Sequence, residues 1–195
     1  MITFKTPKHH WNYFLTIEQD LENLSRYIEF SNENLKTYSI ELTHILLSAS
    51  SEVDVIMKEL CSLISPNQKS NNINDYKNII SRRIQGFSNE EICISRYRLF
   101  YKPWERWEQS ESPDWWKSYN NVKHQRNNCF DQANLQNTIN AVGALLVTVV
   151  YYYKYAFSKE DGNEMNFKDT IIQLQPGASF MKINSDDYYY NSLIF

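Results

Sequence analysis

The segment Tyr119-Asn-Asn-Val-Lys-His-Gln-Arg126 contains the residue types best suited to acid–base chemistry on a phosphate. A histidine exchanges a proton near neutral pH. Arginine and lysine hold phosphate oxygens and stabilise the charge that develops on them. His124, with Arg126 or Lys123 as the cation, could therefore support RNA cleavage by attack of the RNA's own 2′-hydroxyl group. That reaction requires neither a metal ion nor a protein nucleophile.

The spacing of these residues sets a condition on that chemistry. On a continuous helix His124 and Arg126 would point in different directions, because each residue advances the helix by about 100°. They could serve one site only if the helix ends near His124, and Asn127-Asn128 predicts such a break. The other side chains of this helix that could support the site are Lys117, Tyr119 and Asn120.

A carboxylate from another helix would complete the site, because a histidine beside two cations otherwise has a lowered pKa. Glu52 and Asp54 interrupt the most apolar part of the second predicted helix and could supply that carboxylate. Glu52, Asp54 and the segment around His124 each also have a purely structural interpretation. Glu52 would belong to a solvent-facing polar stripe, and Asp54 would pair with Lys58 one helical turn away. The segment around His124 would then be a polar network that fixes how the helices pack.

No other motif in the chain offers a stronger catalytic set. The sequence lacks the GxxxxGK[ST], GxGxxG, GxSxG and HExxH patterns of phosphate loops, dinucleotide folds, serine hydrolases and zinc proteases. His9-His10 is an isolated pair near an end expected to be mobile, and we interpret it as incidental rather than metal-binding. The three cysteines, Cys61, Cys93 and Cys129, are far apart and indicate reduced thiols, neither a disulfide framework nor a zinc site. We therefore predict no metal and no cofactor.

Charge and hydropathy narrow the choice of partners. The net charge is −3, but residues 77–126 carry ten basic and six acidic side chains, so this third alone favours an anionic partner such as RNA. The longest apolar run, residues 141–150, is shorter than the roughly 20 residues that a transmembrane helix requires. It predicts a buried core helix and no membrane association. The first residues lack the apolar stretch of a signal peptide, which indicates a cytoplasmic protein.

Apolar spacing predicts the elements that would position these residues. Helices are expected near residues 11–30, 34–64, 75–84, 112–126 and 131–157. Alternating residues 91–101 predict a strand, and residues 170–174 and 179–183 predict a β-hairpin around Pro176-Gly177. The fold class is thus mainly α: a bundle of four or five helices with a small β appendage from residues near 91–101 and 170–183. Residues 1–195 form one domain that ends in the hairpin and a tyrosine-rich tail.

The order of these motifs resembles HEPN-type helical domains of bacterial toxin–antitoxin and phage-defence systems. The resemblance covers residues 10–157. It rests on helices flanking Ser51-Glu-Val-Asp54, on Trp116-x-x-Tyr-Asn-x-x-Lys-His-x-Arg126, and on the long Ala/Leu-rich helix that follows. It implies an all-α bundle, frequently a homodimer whose site lies at the two-fold interface, and often an endoribonuclease that uses no metal. The partners implied are RNA and a second protein of the defence or toxin–antitoxin system.

One departure from that family pattern bears on activity. The nuclease members carry an arginine four to six residues before the histidine, whereas here Lys117 stands seven residues before His124 and Arg126 follows it. Only His124 carries over directly, with Arg126 or Lys123 as the substitute cation. A non-catalytic interaction module, in which the same residues form a structural network, is the alternative. A nucleotide-sensing domain that uses the basic middle third is a third hypothesis.

Overall fold

A computed structural model of the protein describes residues 7–184, and this part of the chain is mainly helical. Its α-helices are α1 (His9–Leu24), α2 (Ile40–Ile64), α3 (Ile73–Arg83), α4 (Asp114–Cys129), α5 (Leu135–Asp161) and α6 (Phe167–Gln173). Its strands, β1 (Ile92–Ile94), β2 (Leu99–Tyr101) and β3 (Lys182–Ile183), form an antiparallel sheet in the order β2-β1-β3. The prediction of a mainly helical fold with a small β appendage is confirmed. The predicted tyrosine-rich tail lies outside the described residues.

The two longest helices, α2 and α5, pack against each other at the centre of the protein. Each begins at a polar cap, because the Ser39 hydroxyl accepts from the Leu42 N–H and the Asn134 amide oxygen accepts from the Asn137 N–H. Residues 141–150 of α5 are all buried. By length and composition α5 could also cross a membrane, but 72% of its most apolar window is covered by the protein itself. As the sequence predicts, it is a core helix of this fold.

The connection between α1 and α2 differs from the expected one. The predicted helix from residue 34 is wrong for residues 35–39, because residues 35 and 36 form a turn and α2 begins only after Ser39, whose backbone is extended. The carbonyls of Leu35 and Thr37 accept from the N–H groups of Gln136 and Leu135 at the start of α5. Because these hydrogen bonds lie between distant parts of the chain, local spacing gave no sign of them.

The predicted C-terminal hairpin is also wrong in its first half. Residues 167–173 form α6, whose start is capped by the Asn166 side chain accepting from the Asp169 N–H. Residues 182–183 do form a strand, but it pairs with β1 and not with a hairpin partner. The N–H groups of residues 179–181 donate to the buried carboxylate of Glu18 on α1, at 2.8 to 3.1 Å. Those N–H groups are therefore unavailable for a hairpin ladder.

Further hydrogen bonds fasten the N-terminal helix to the same C-terminal segment. The Lys8 ammonium donates to the carbonyls of Gln173 and Gln175, at 2.7 and 2.9 Å. The indole N–H of Trp11 donates to the Pro176 carbonyl at 2.8 Å. Both ends of the described chain are consequently joined on one side of the bundle.

Candidate functional site

The predicted cations lie on α4, a helix anchored by aromatic residues in its first half. Trp115, Trp116, Tyr119 and Val122 are buried, and the Trp115 indole N–H donates to the Pro103 carbonyl at 2.8 Å. Asp114 lies in the first turn, where a negative charge is favourable. The second half of the helix has no buried residue after Val122, and residues 123–128 are all exposed. The aromatic half therefore fixes the direction in which a fully solvated polar end projects.

The helix is interrupted between His124 and Arg126. Gln125 has a φ of −137° and a ψ of 43°, which lies outside the helical region, so two helical pieces meet at this residue. The break predicted from Asn127-Asn128 is thus present, two residues earlier than expected. It removes the regular advance of 100° per residue that would separate the two side chains on an unbroken helix.

The three cations differ in their contacts. Lys123 donates to the Tyr119 hydroxyl at 3.2 Å, and its ammonium lies 5.2 Å from the centre of that ring. Within residues 7–184, His124 and Arg126 form no hydrogen bond and no ion pair. A pair of exposed side chains without protein partners is free to bind an anion from solvent, at little cost in stability.

The supporting residues of α4 are occupied within the helix. The Asn120 amide donates to the Trp116 carbonyl at 2.9 Å. The Lys117 ammonium lies 3.5 Å from carboxylate oxygens of both Glu111 and Asp114. Lys117 therefore shares its charge with two surface carboxylates, whereas the side chain of Arg126 forms no ion pair within residues 7–184.

The structure does not bring Glu52 and Asp54 to His124. Asp54 accepts from the Tyr76 hydroxyl at 2.8 Å and pairs with Lys58, as the structural interpretation of the sequence predicted. Glu52 instead pairs with His10 of α1. The predicted orienting role of these carboxylates therefore has no support within one chain.

His10 is the centre of a cluster that sequence reasoning dismissed. Its Nδ1 lies 2.5 Å from Glu52, its Nε2 lies 3.2 Å from Glu59, and only 17% of its side chain is exposed. The hydrogen bond with Glu52 is the main cause that raises the pKa of His10, helped by the charges of both glutamates and opposed by burial. The imidazolium form is thus favoured, and the interpretation of His10 as an incidental residue is corrected.

Two tyrosines of α5 complete this His10 cluster. Burial raises the pKa of Tyr152, and the neighbouring carboxylate of Glu59 raises it further. Burial raises the pKa of Tyr153 to about 12, although the nearby backbone N–H groups of Trp11 and His10 act in the opposite direction. A cavity of about 700 Å³ opens beside the cluster and is lined partly by His10, Glu59 and both tyrosines.

A spacing signal for His10 was available in the sequence. His10 precedes Phe14 by four residues and Ile17 by seven, so it continues the apolar stripe that buries α1. A histidine on such a stripe must find a polar partner in the interior. What the sequence could not give is the identity of that partner, which lies on another helix.

The site holds no recognisable metal centre. Among residues 7–184, no three histidine, cysteine, aspartate or glutamate side chains are grouped so that they could hold a metal ion.

A scan of the chain against protein-family models gives no matching family, and neither curated proteins nor solved structures give a significant match.

Proposed function

We propose that this protein is an HEPN-like endoribonuclease of the defence or toxin type that cleaves RNA without a metal ion. The observation that carries the proposal is the exposed, unpaired combination of His124 and Arg126 on either side of the helix break at Gln125. Lys123 stands beside them, steadied by the Tyr119 hydroxyl. Together they provide one imidazole that can accept or donate a proton and two cations that can hold the phosphate, which is what phosphodiester cleavage by the 2′-hydroxyl requires.

In the proposed reaction each proton has a source and a destination. Neutral His124 accepts the proton of the RNA 2′-hydroxyl, whose oxygen then forms a bond to the adjacent phosphorus. The bond from phosphorus to the 5′-oxygen breaks, and that oxygen takes a proton from a protonated histidine. Arg126 and Lys123 stabilise the additional negative charge on the phosphate oxygens. The products are a 2′,3′-cyclic phosphate and a free 5′-hydroxyl.

A homodimer would supply the second histidine. One chain offers His124 as base or as acid, whereas the reaction uses both at once, so two copies related by a two-fold axis would complete the site. The exposed end of α4 leaves these residues accessible to a second copy. We propose a cytoplasmic protein regulated by a second protein of its defence or toxin–antitoxin system.

A specific observation favours a second candidate, a non-catalytic interaction module. Both predicted orienting carboxylates are engaged elsewhere, Glu52 by His10 and Asp54 by Tyr76 and Lys58. No group within residues 7–184 hydrogen-bonds to His124. In this alternative the polar contacts serve packing, and the exposed end of α4 binds a partner protein.

The deciding experiment compares wild type with His124→Ala and with the matched surface control His44→Ala, because 65% of His44 is also exposed. Growth arrest on expression is measured, together with the integrity of purified RNA incubated with each protein in the presence and in the absence of EDTA. We expect cleavage by wild type and by the control variant, and none by His124→Ala. Intact RNA with wild type contradicts the nuclease proposal, and cleavage that EDTA abolishes contradicts its metal-free chemistry.

A further inference from the structure

An exposed tyrosine packs against a partly exposed phenylalanine at the end of α4. Tyr38 is 52% exposed, and its ring packs edge-on against Phe130, with centroids 5.6 Å apart and planes at 84°. Phe130 immediately follows Cys129, the last residue of α4. About half of the Tyr38 side chain thus remains open to solvent next to this helix end.

The backbone around Tyr38 is held in place although its side chain is exposed. Tyr38 forms an antiparallel bridge with Asn134. The carbonyls of Leu35 and Thr37, which both precede Tyr38, accept from α5 at 3.0 and 2.9 Å. An exposed aromatic ring on a fixed backbone loses little conformational entropy when it binds a flat ligand.

Arg126 of α4 lies within reach of this pair. Arg126 is four residues before Phe130, so their Cα atoms are about 6 Å apart along a helix axis and at most about 14 Å apart in any conformation. Lys36 is exposed two residues before Tyr38. Unpaired positive charge and an open aromatic ring therefore share one small area of surface.

We propose that Tyr38 and Phe130 form a stacking platform for a base of single-stranded RNA whose phosphates bind Arg126 and Lys123. The proposal rests on the proposed ribonuclease function and adds the strandedness of the substrate. A base can stack on an aromatic side chain only when it has left its own helix, so loops and single strands fit this surface and duplexes do not. The adjacent free cations favour a polyanion over an apolar partner protein.

The binding test uses a fluorescently labelled single-stranded RNA oligomer, a duplex of the same sequence and an abasic ribose-phosphate oligomer. His124→Ala is the background for every protein, so that cleavage does not interfere. Fluorescence anisotropy is measured for that background alone and with Tyr38→Phe, Tyr38→Leu, Tyr38→Ala or the exposed-tyrosine control Tyr27→Ala, since Tyr27 is 81% exposed. We expect Tyr38→Leu and Tyr38→Ala to weaken binding of the single strand roughly tenfold, and Tyr38→Phe and Tyr27→Ala to leave it unchanged.

The same measurements separate failure of the platform from failure of the proposed function. Equal binding of the base-bearing strand by all the Tyr38 variants, while Arg126→Ala weakens it, overturns the platform and leaves RNA binding standing. Equal loss of affinity for the abasic oligomer also overturns the platform, because that oligomer has no base to stack. No binding of RNA by the starting protein overturns both proposals. An exposed aromatic surface can also form a dimer contact. Light scattering tests this alternative by measuring the oligomeric state of Tyr38→Ala. A change in oligomeric state relative to the background protein also overturns the platform.

Discussion

Two histidines of this protein occupy opposite kinds of environment. His10 lies between two glutamates, with 17% of its side chain exposed, and joins α1 to α2. His124 stands on an exposed helix end and has no hydrogen-bonding partner within residues 7–184. The side chain of His10 is paired with glutamates inside the fold, whereas the side chain of His124 is accessible to another molecule. The comparison teaches that the partners a histidine finds in the fold, more than its neighbours in the sequence, decide whether its side chain is held inside the protein or left accessible.

The largest expected difference concerns catalysis. Under the proposed function, His124→Ala lowers the rate of RNA cleavage by about 10²- to 10⁴-fold, the usual contribution of a general acid or base. Its thermal unfolding should match that of wild type because the side chain is exposed. His10→Gln is the reciprocal variant, and we expect it to keep most of the cleavage rate. Loss of cleavage in folded His10→Gln, with His124→Ala active, would assign the chemistry to the His10 cluster.

The next effect concerns the free energy of unfolding. Glu52→Ala leaves the largely buried His10 imidazolium without its closest partner, so we expect a loss of about 1–3 kcal/mol. Glu41→Ala on the same helix is the control, because 70% of Glu41 is exposed and its removal should change stability by less than about 0.5 kcal/mol. Urea unfolding followed by circular dichroism measures both. Equal stabilities of the two variants would show that the Glu52 contact contributes nothing.

The free energy of unfolding that the His10 cluster contributes should depend on pH. Because its folded pKa is raised above the ordinary 6.5, the folded state binds the proton more tightly than the unfolded state. The resulting stability is fully present below pH 6.5 and is lost as the pH rises through the folded pKa. The melting temperature of wild type should therefore exceed that of His10→Gln most at low pH. A difference that stays constant from pH 5 to pH 9 contradicts this assignment, and His44→Gln controls for the loss of a surface histidine.

The smallest expected effect concerns the salt dependence of RNA binding by Lys123, the residue before the exposed His124. If Lys123 contacts one phosphate of a single strand, Lys123→Ala should reduce the slope of log affinity against log salt concentration by roughly 0.7. Lys117→Ala is the matched control on the same helix, because Glu111 and Asp114 already neutralise Lys117. Anisotropy titrations at several salt concentrations give both slopes. An equal reduction in the two variants would mean that RNA lies along the whole of α4.

The sequence predicted those features that depend on local spacing. The apolar repeat of α5 falls where it was expected. The single strand predicted for residues 91–101 is wrong, because a 3₁₀ turn at residues 95–97 divides it into β1 and β2, which pair with each other in antiparallel fashion. The break in α4 was expected within two residues of Gln125. The prediction failed where distant groups bind the backbone. Glu18 accepts from the N–H groups of residues 179–181, and the start of α5 donates to the carbonyls of Leu35 and Thr37. The pairing of Glu52 with His10 was missed for the same reason, because residues that pair between different helices show no regular spacing in the sequence.

The hydrogen bonds between Glu18 and residues 179–181 also have a consequence for the order of synthesis. The groups that complete α1 lie more than 160 residues further along the chain. At about 5–20 residues per second, they leave the ribosome roughly 10–30 seconds after Glu18 is made. During that interval the Glu18 carboxylate must remain hydrated, so the N-terminal helix cannot seal its side of the bundle. The helix α1 therefore reaches its final surroundings only after residues 179–181 have been synthesised.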